Sequence, residues 1–146
     1  MNHQNLGLTV ARIALGVILF AHCYLLKIGT FTVAGTVGYF ESIGLPALVA
    51  YLVIGGEVIG AIVLILGIFT KLTASLSLPI MLGAIWMRLG NGWLFSAEGG
   101  GREFPFLLVA LAINIGLHGA GLFAVENTDW FKARLPNQSP TEVAST

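Results

Sequence analysis

Four long apolar stretches decide the fold class of this chain. Residues 6–26, 46–70, 72–89 and 104–125 are each close to the roughly 20 apolar residues that cross a bilayer at about 1.5 Å rise per residue. Inside hydrocarbon every backbone N–H and C=O needs a partner within its own structure, so such stretches become helices. Charged residues are only 10% of the chain against 56% hydrophobic, which excludes a disordered polypeptide. The expected architecture is all-α, a four-transmembrane-helix antiparallel bundle occupying residues 1–129.

The connections refine this picture. Thr70-Lys71 is almost the whole link between the second and third spans, which makes those helices antiparallel neighbours. Between the first and second spans, Val37, Phe40 and Ile43 recur every third residue, and Gly44 follows. That pattern predicts a short helix lying in the interface. Gly99-Gly100-Gly101 reads as a flexible turn, because no Lys-Ser/Thr follows to make a phosphate loop. Residues 130–146 divide into an interfacial anchor (Trp130, Phe131, Lys132, Arg134) and a polar tail read as disordered. The tail carries the sequon Asn137-Gln138-Ser139. The first span is read as retained, since Phe20 and His22 stand where a lipoprotein cut before Cys23 would want small residues.

Seven Lys and Arg balance seven Asp and Glu, and no basic cluster exists to hold a nucleic acid. Cys23 is the single cysteine, so dithiol chemistry is excluded, and it reads as a small buried hydrophobe. No ligand spacing for a metal is present. Cations divide four to three in favour of the terminal side, with Arg12, Lys71, Lys132 and Arg134 against Lys27, Arg88 and Arg102. This favours cytoplasmic termini.

Ionisable groups within lipid cost roughly 2.5–3.5 kcal/mol each on insertion scales, so they should face the bundle interior. Glu103 and Asn114 stand about 20° apart on a helical wheel, with His118 one turn on. Thr73, Ser77 and Arg88 form a second stripe, and Gly56 and Gly60 open space beside Glu57. Rise per residue puts His22 and Arg88 at a common depth of roughly 24 Å from the terminal side, and Arg12 and His118 at roughly 9 Å. The expectation is a candidate binding pocket of His22, Glu57, Arg88 and Glu103. A thinner structural layer of Arg12, Asn114 and His118 lies below it, and Lys27 snorkels to the outer mouth. His22 and His118 lie on the order of 15 Å apart in depth, too far to ligate one haem iron.

Read in order, the chain carries Arg12-x3-Gly16, His22, Lys27 and the run Glu41-Ser42-Ile43-Gly44-Leu45-Pro46. Gly55-Gly56-Glu57-Val58-Ile59-Gly60, the Leu66–Lys71 corner, Gly100-Gly101-Arg102-Glu103-Phe104 and His118-Gly119-Ala120-Gly121 complete the series. This resembles the DoxX family of small bacterial membrane proteins over about residues 6–129. Cys23 stands where the family tends to have glycine, and the His22-to-Lys27 gap is one residue longer than its pattern. The resemblance implies a bacterial inner-membrane protein and a role as an oxidoreductase or an accessory of one, since relatives include the small subunit of a thiosulfate:quinone oxidoreductase.

Two readings follow. In the first the chain is the membrane subunit of a redox complex. It has no intrinsic cofactor, quinone is its ligand, and a soluble or membrane oxidoreductase subunit supplies electrons. In the second it is a small-solute carrier or a lipid-binding, structural scaffold. Homo-oligomerisation is open under both.

Overall fold

The computed structural model describes residues 3–134. The polar tail beyond them, with its sequon, lies outside the described residues. Within them the chain is helical: α1 (His3–Ala21), α2 (Thr32–Ser42), α3 (Ala47–Leu66), α4 (Thr70–Met87), α5 (Glu103–His118) and a short α6 (Asp129–Lys132). Going round the bundle, α1 packs on α3, α3 on α4, α4 on α5, and α5 back on α1. Neighbours run antiparallel, so both ends of the described chain emerge at one side, here the terminal end.

The first rod is longer than residues 6–26. After Ala21 it continues as nine π-helical residues, His22–Thr30, to give 28 residues in all. A π turn bonds i to i+5 and absorbs one extra residue into a helix. Here the Thr30 hydroxyl donates to the carbonyl of Leu25 at 2.8 Å, and the Phe31 N–H donates to that of Leu26 at 2.8 Å. α2 then doubles back with Thr36 and Phe40 buried. Its Thr36 hydroxyl donates to the Lys27 carbonyl at 3.0 Å, tying α2 to the π segment.

Both α2 and α3 stop at a glycine. Gly44 (φ +83°) and Gly67 (φ +70°) adopt the left-handed conformation. The paired bonds of a Schellman motif follow, Leu45 N–H to Phe40 O and Gly44 N–H to Glu41 O in one, Ile68 N–H to Val63 O and Gly67 N–H to Leu64 O in the other. α4 therefore begins at Thr70, earlier than hydropathy alone suggests.

Small residues set the helix spacing. Ala61, Ala74 and Ala112 are fully buried in the core with Leu15, Leu64 and Ile115. A Cβ at Gly16 would stand 2.7 Å from Ile65 Cγ1 and 3.0 Å from Ala61 O, so α1 and α3 cross in near contact. Large apolar side chains such as Val10, Leu52, Ile59, Leu76 and Leu117 point outward, as they do where the solvent is lipid. Three helices have the length and hydropathy of membrane spans. With α5 beside them, the chain is a multi-pass membrane protein.

α5 departs from its expected extent. It ends at His118 after 16 residues, about 24 Å at helical rise, instead of continuing to residue 125. Gly119 (φ +97°), Gly121 (φ +70°) and Phe123 (φ +54°) turn the chain into an irregular strap across the terminal end. Arg12, with no exposed surface, is what the strap closes upon. Its Nε donates to Ala120 O at 2.9 Å and its Nη1 to Leu64 O and Ile65 O, both at 2.7 Å. Nη2 reaches Leu122 O at 3.3 Å. One guanidinium thus satisfies the last carbonyls of α3 and those of the strap, groups that lipid would leave bare. The Thr9 hydroxyl donates to Leu122 O at 2.9 Å and accepts from Leu122 N–H at 2.6 Å. Past the strap, Phe131 of α6 packs edge-on against Phe69, and Arg134 lies over the Trp130 ring.

Arg12→Met removes every one of these donors. At about 1.5–3 kcal/mol per hydrogen bond to a charged group, it should cost more than about 3 kcal/mol, read as a lowered thermal transition in detergent. Arg12→Lys should recover only part of this, because a point ammonium cannot fan out to the same carbonyls.

Candidate functional site

The π segment changes which residues meet. Cys23 and Lys27, one turn apart on it, both face α3. The Cys23 thiol lies 3.5 Å from the Ile54 carbonyl as donor. Lys27 Nζ stands 2.6 Å from Glu57 Oε1, with 16% and 6% of the two side chains exposed. Lys27 therefore does not snorkel to the outer mouth. It turns inward because a carboxylate in the membrane interior is a better partner than the interface is distant. Glu57 Oε2 is buried with no hydrogen-bond partner.

His22 opens the π segment that carries Cys23 and Lys27. Arg88 is half-buried and bonds the carbonyl of Ala84, in its own helix, at 3.2 Å.

Glu103 does not join the ion pair. It opens α5, and its Oε1 accepts from the Phe95 N–H at 2.7 Å while its own N–H donates to Trp93 O at 3.0 Å. It closes the loop between α4 and α5. That loop is cross-linked throughout: Asn91 Nδ2 donates to Gly99 O at 3.1 Å and Arg102 N–H to Gly92 O at 3.3 Å. Of its three consecutive glycines, Gly99 (φ +77°) and Gly100 (φ +76°) supply left-handed corners.

The lower layer also separates. Arg12 sits inside among carbonyls, whereas Asn114 and His118 are exposed. α5 buries Pro105, Leu108, Ala112 and Ile115, and this rotation carries Asn114 and His118 to its flank. There they line an open polar groove of about 590 Å³ with Gln4 and Asn5 of α1. His118 Nδ1 lies 2.9 Å from the Asn114 carbonyl.

A second space lies beside Glu57. Between α3 and α4 runs a crevice of about 250 Å³, walled by Gly56, Glu57 and Gly60 on one side and Thr73, Ser77 and Ile80 on the other, with Leu19 behind. Among the described residues no group of three His, Cys, Asp or Glu side chains stands close enough to hold a metal ion.

Two contacts escaped sequence reasoning. One is Lys27 as the counter-ion of Glu57; a reading at 100° per residue could not find it, because π turns wind the rod differently. The other is Glu126, whose Oε2 accepts from the Thr70 N–H at 2.9 Å and so caps the first turn of α4.

Removing one partner of a buried pair strands the other. Lys27→Met should lower stability by about 3–5 kcal/mol, and the Lys27→Met/Glu57→Gln double variant should regain most of it. Unfolding of the four members of this cycle in detergent measures the coupling.

Comparison with known proteins places the chain. A family model for DoxX matches residues 7–90, the portion holding His22, Lys27, Glu57 and Arg88. A protein of Bacillus subtilis (strain 168) named "Putative oxidoreductase CatD" is 30% identical over 123 residues, which is 84% of this chain and 86% of that protein. No solved structure matches. By both the family model and the full-length similarity, this chain belongs to the DoxX family.

Proposed function

We propose that this chain is the membrane subunit or accessory of an oxidoreductase, and that its lipid-soluble ligand is a quinone. The observation that carries the reading is the Lys27–Glu57 ion pair, largely buried among lipid-spanning helices, with His22 opening the π segment that carries Lys27. Ionisable groups at such depth are expensive, and they concentrate where protons, ions or substrates are handled. The name of the Bacillus subtilis relative supports the redox class.

A bound quinone supplies two-electron, two-proton chemistry. The chain's own residues do the protonic part. Lys27 orients Glu57 and balances its charge. Glu57 and His22 hold and release protons. The Arg88 guanidinium offers donors to an oxygen that gains negative charge. Electrons come from a partner oxidoreductase subunit, so the chain is not an enzyme by itself. Under this reading it sits in the bacterial inner membrane with both termini cytoplasmic. The cations outside the bundle interior support that orientation, with Lys71, Lys132 and Arg134 at the terminal end against Arg102 at the other.

Protein purified in mild detergent should carry extractable quinone. Glu57→Gln and Arg88→Ala should each lower the retained amount severalfold, as quantified by chromatography, while circular dichroism keeps its helical signal. Mass spectrometry of the mild-detergent complex should find an oxidoreductase subunit. Solute flux into liposomes, with no bound quinone and no partner, would move the reading to a carrier. Loss of stability alone in these variants would move it to a structural scaffold.

A further inference from the structure

We propose that the crevice between α3 and α4 binds a ring-sized, lipid-soluble aromatic alcohol, a phenol or hydroquinone, entering sideways from the lipid. The inference deepens the quinone-linked reading and rests on it for the natural ligand's identity; the site itself rests on geometry.

The crevice opens between two helices whose rim residues, Ile59 and Leu76, are each 64% exposed on the lipid-facing surface. A ligand reaching it comes from hydrocarbon. Its volume of about 250 Å³ exceeds the roughly 150 Å³ in which an apolar cavity takes up benzene. No Lys or Arg lines it, so nothing there would hold a phosphate headgroup.

The polar atoms on its walls ask for a donor. An ionised carboxylate only accepts, and Glu57 Oε2 is one of two buried side-chain oxygens without a partner among the described residues, the other being Thr70 Oγ1, outside the crevice. The terminal torsion of a glutamate is broad and roughly two-fold, so turning the carboxylate can offer an oxygen to the crevice with the backbone fixed. On the facing helix, Ser77 spends its hydroxyl proton on the Ala74 carbonyl at 2.7 Å, and its oxygen lone pairs remain as acceptors. A quinone carbonyl, itself an acceptor, gains nothing from either wall. A phenolic O–H can donate to either, and a hydroquinone has a donor for each. The reduced form of a quinone is thus the form this crevice retains.

The test uses the full chain in phosphatidylcholine nanodiscs, with binding to empty nanodiscs subtracted. The probes share a ring and differ in the polar group: 1-naphthol, 1-methoxynaphthalene and 1,4-naphthoquinone. 1-Naphthol should bind saturably and at least about tenfold tighter than its methyl ether or the quinone, the factor expected of one hydrogen bond to a charged acceptor. Gly60→Leu should abolish this binding by filling the crevice. A Cβ there meets only Thr73 Cγ2, at 3.8 Å, so the backbone tolerates it. Thr73→Leu fills the same space from the other wall and serves if Gly60→Leu loses its cooperative thermal transition. Equal affinities for naphthol and ether, no saturable binding, or binding indifferent to both filling variants would overturn the proposal. Naphthol binding that survives in a protein without retained quinone or redox partner would sink the quinone-linked reading and leave this site standing.

Discussion

Hydrocarbon offers no hydrogen-bond partner, so each polar group carried into it must be answered from within the chain. Arg12 is where this constraint organises the most structure. Its guanidinium draws the carboxyl end of α3 and the strap after α5 onto one point of α1. The strap can leave the helix because those donors replace the intrahelical bonds it gives up. The conformations of Gly67 and Gly121 follow from the same closure. A Cβ at Gly67 would stand 2.7 Å from Arg12 Nη1, and one at Gly121 would stand 2.6 Å from Thr9 N.

The same constraint acts differently at the other polar centre. At Arg12 a cation meets backbone carbonyls, and nothing is left to react. At Lys27 a cation meets a carboxylate that retains one unpartnered oxygen. The first arrangement is closed and serves the fold. The second is open to a further partner and lies next to a crevice reached from lipid. A fully buried Arg12 and a partly buried Lys27 thus divide into a staple and a candidate site by the chemistry of what they face.

Rise per residue grouped Arg12, Asn114 and His118 in one layer and Glu103 with His22, Glu57 and Arg88 in another, while helical angles taken at 100° per residue put Glu103, Asn114 and His118 on one face. These groupings assumed regular helices of full length and unknown rotations. The π turns break the first assumption, since they swing Lys27 from the interface to Glu57. The packing of Ala112 and Ile115 fixes the rotation of α5 and leaves Asn114 and His118 on its flank.

Hydropathy and length by themselves determined that this chain is an all-helical membrane bundle, that α3 and α4 are antiparallel neighbours, and that Glu57 needs a partner. The last follows from the price of a carboxylate in lipid, whatever the surrounding fold. Which residue answers it is a tertiary matter. Lys27 lies thirty positions away, and only the wound-out turns of the first rod aim it at α3. The crevice is equally a product of packing, because an empty space exists only between helices whose crossing no single segment encodes.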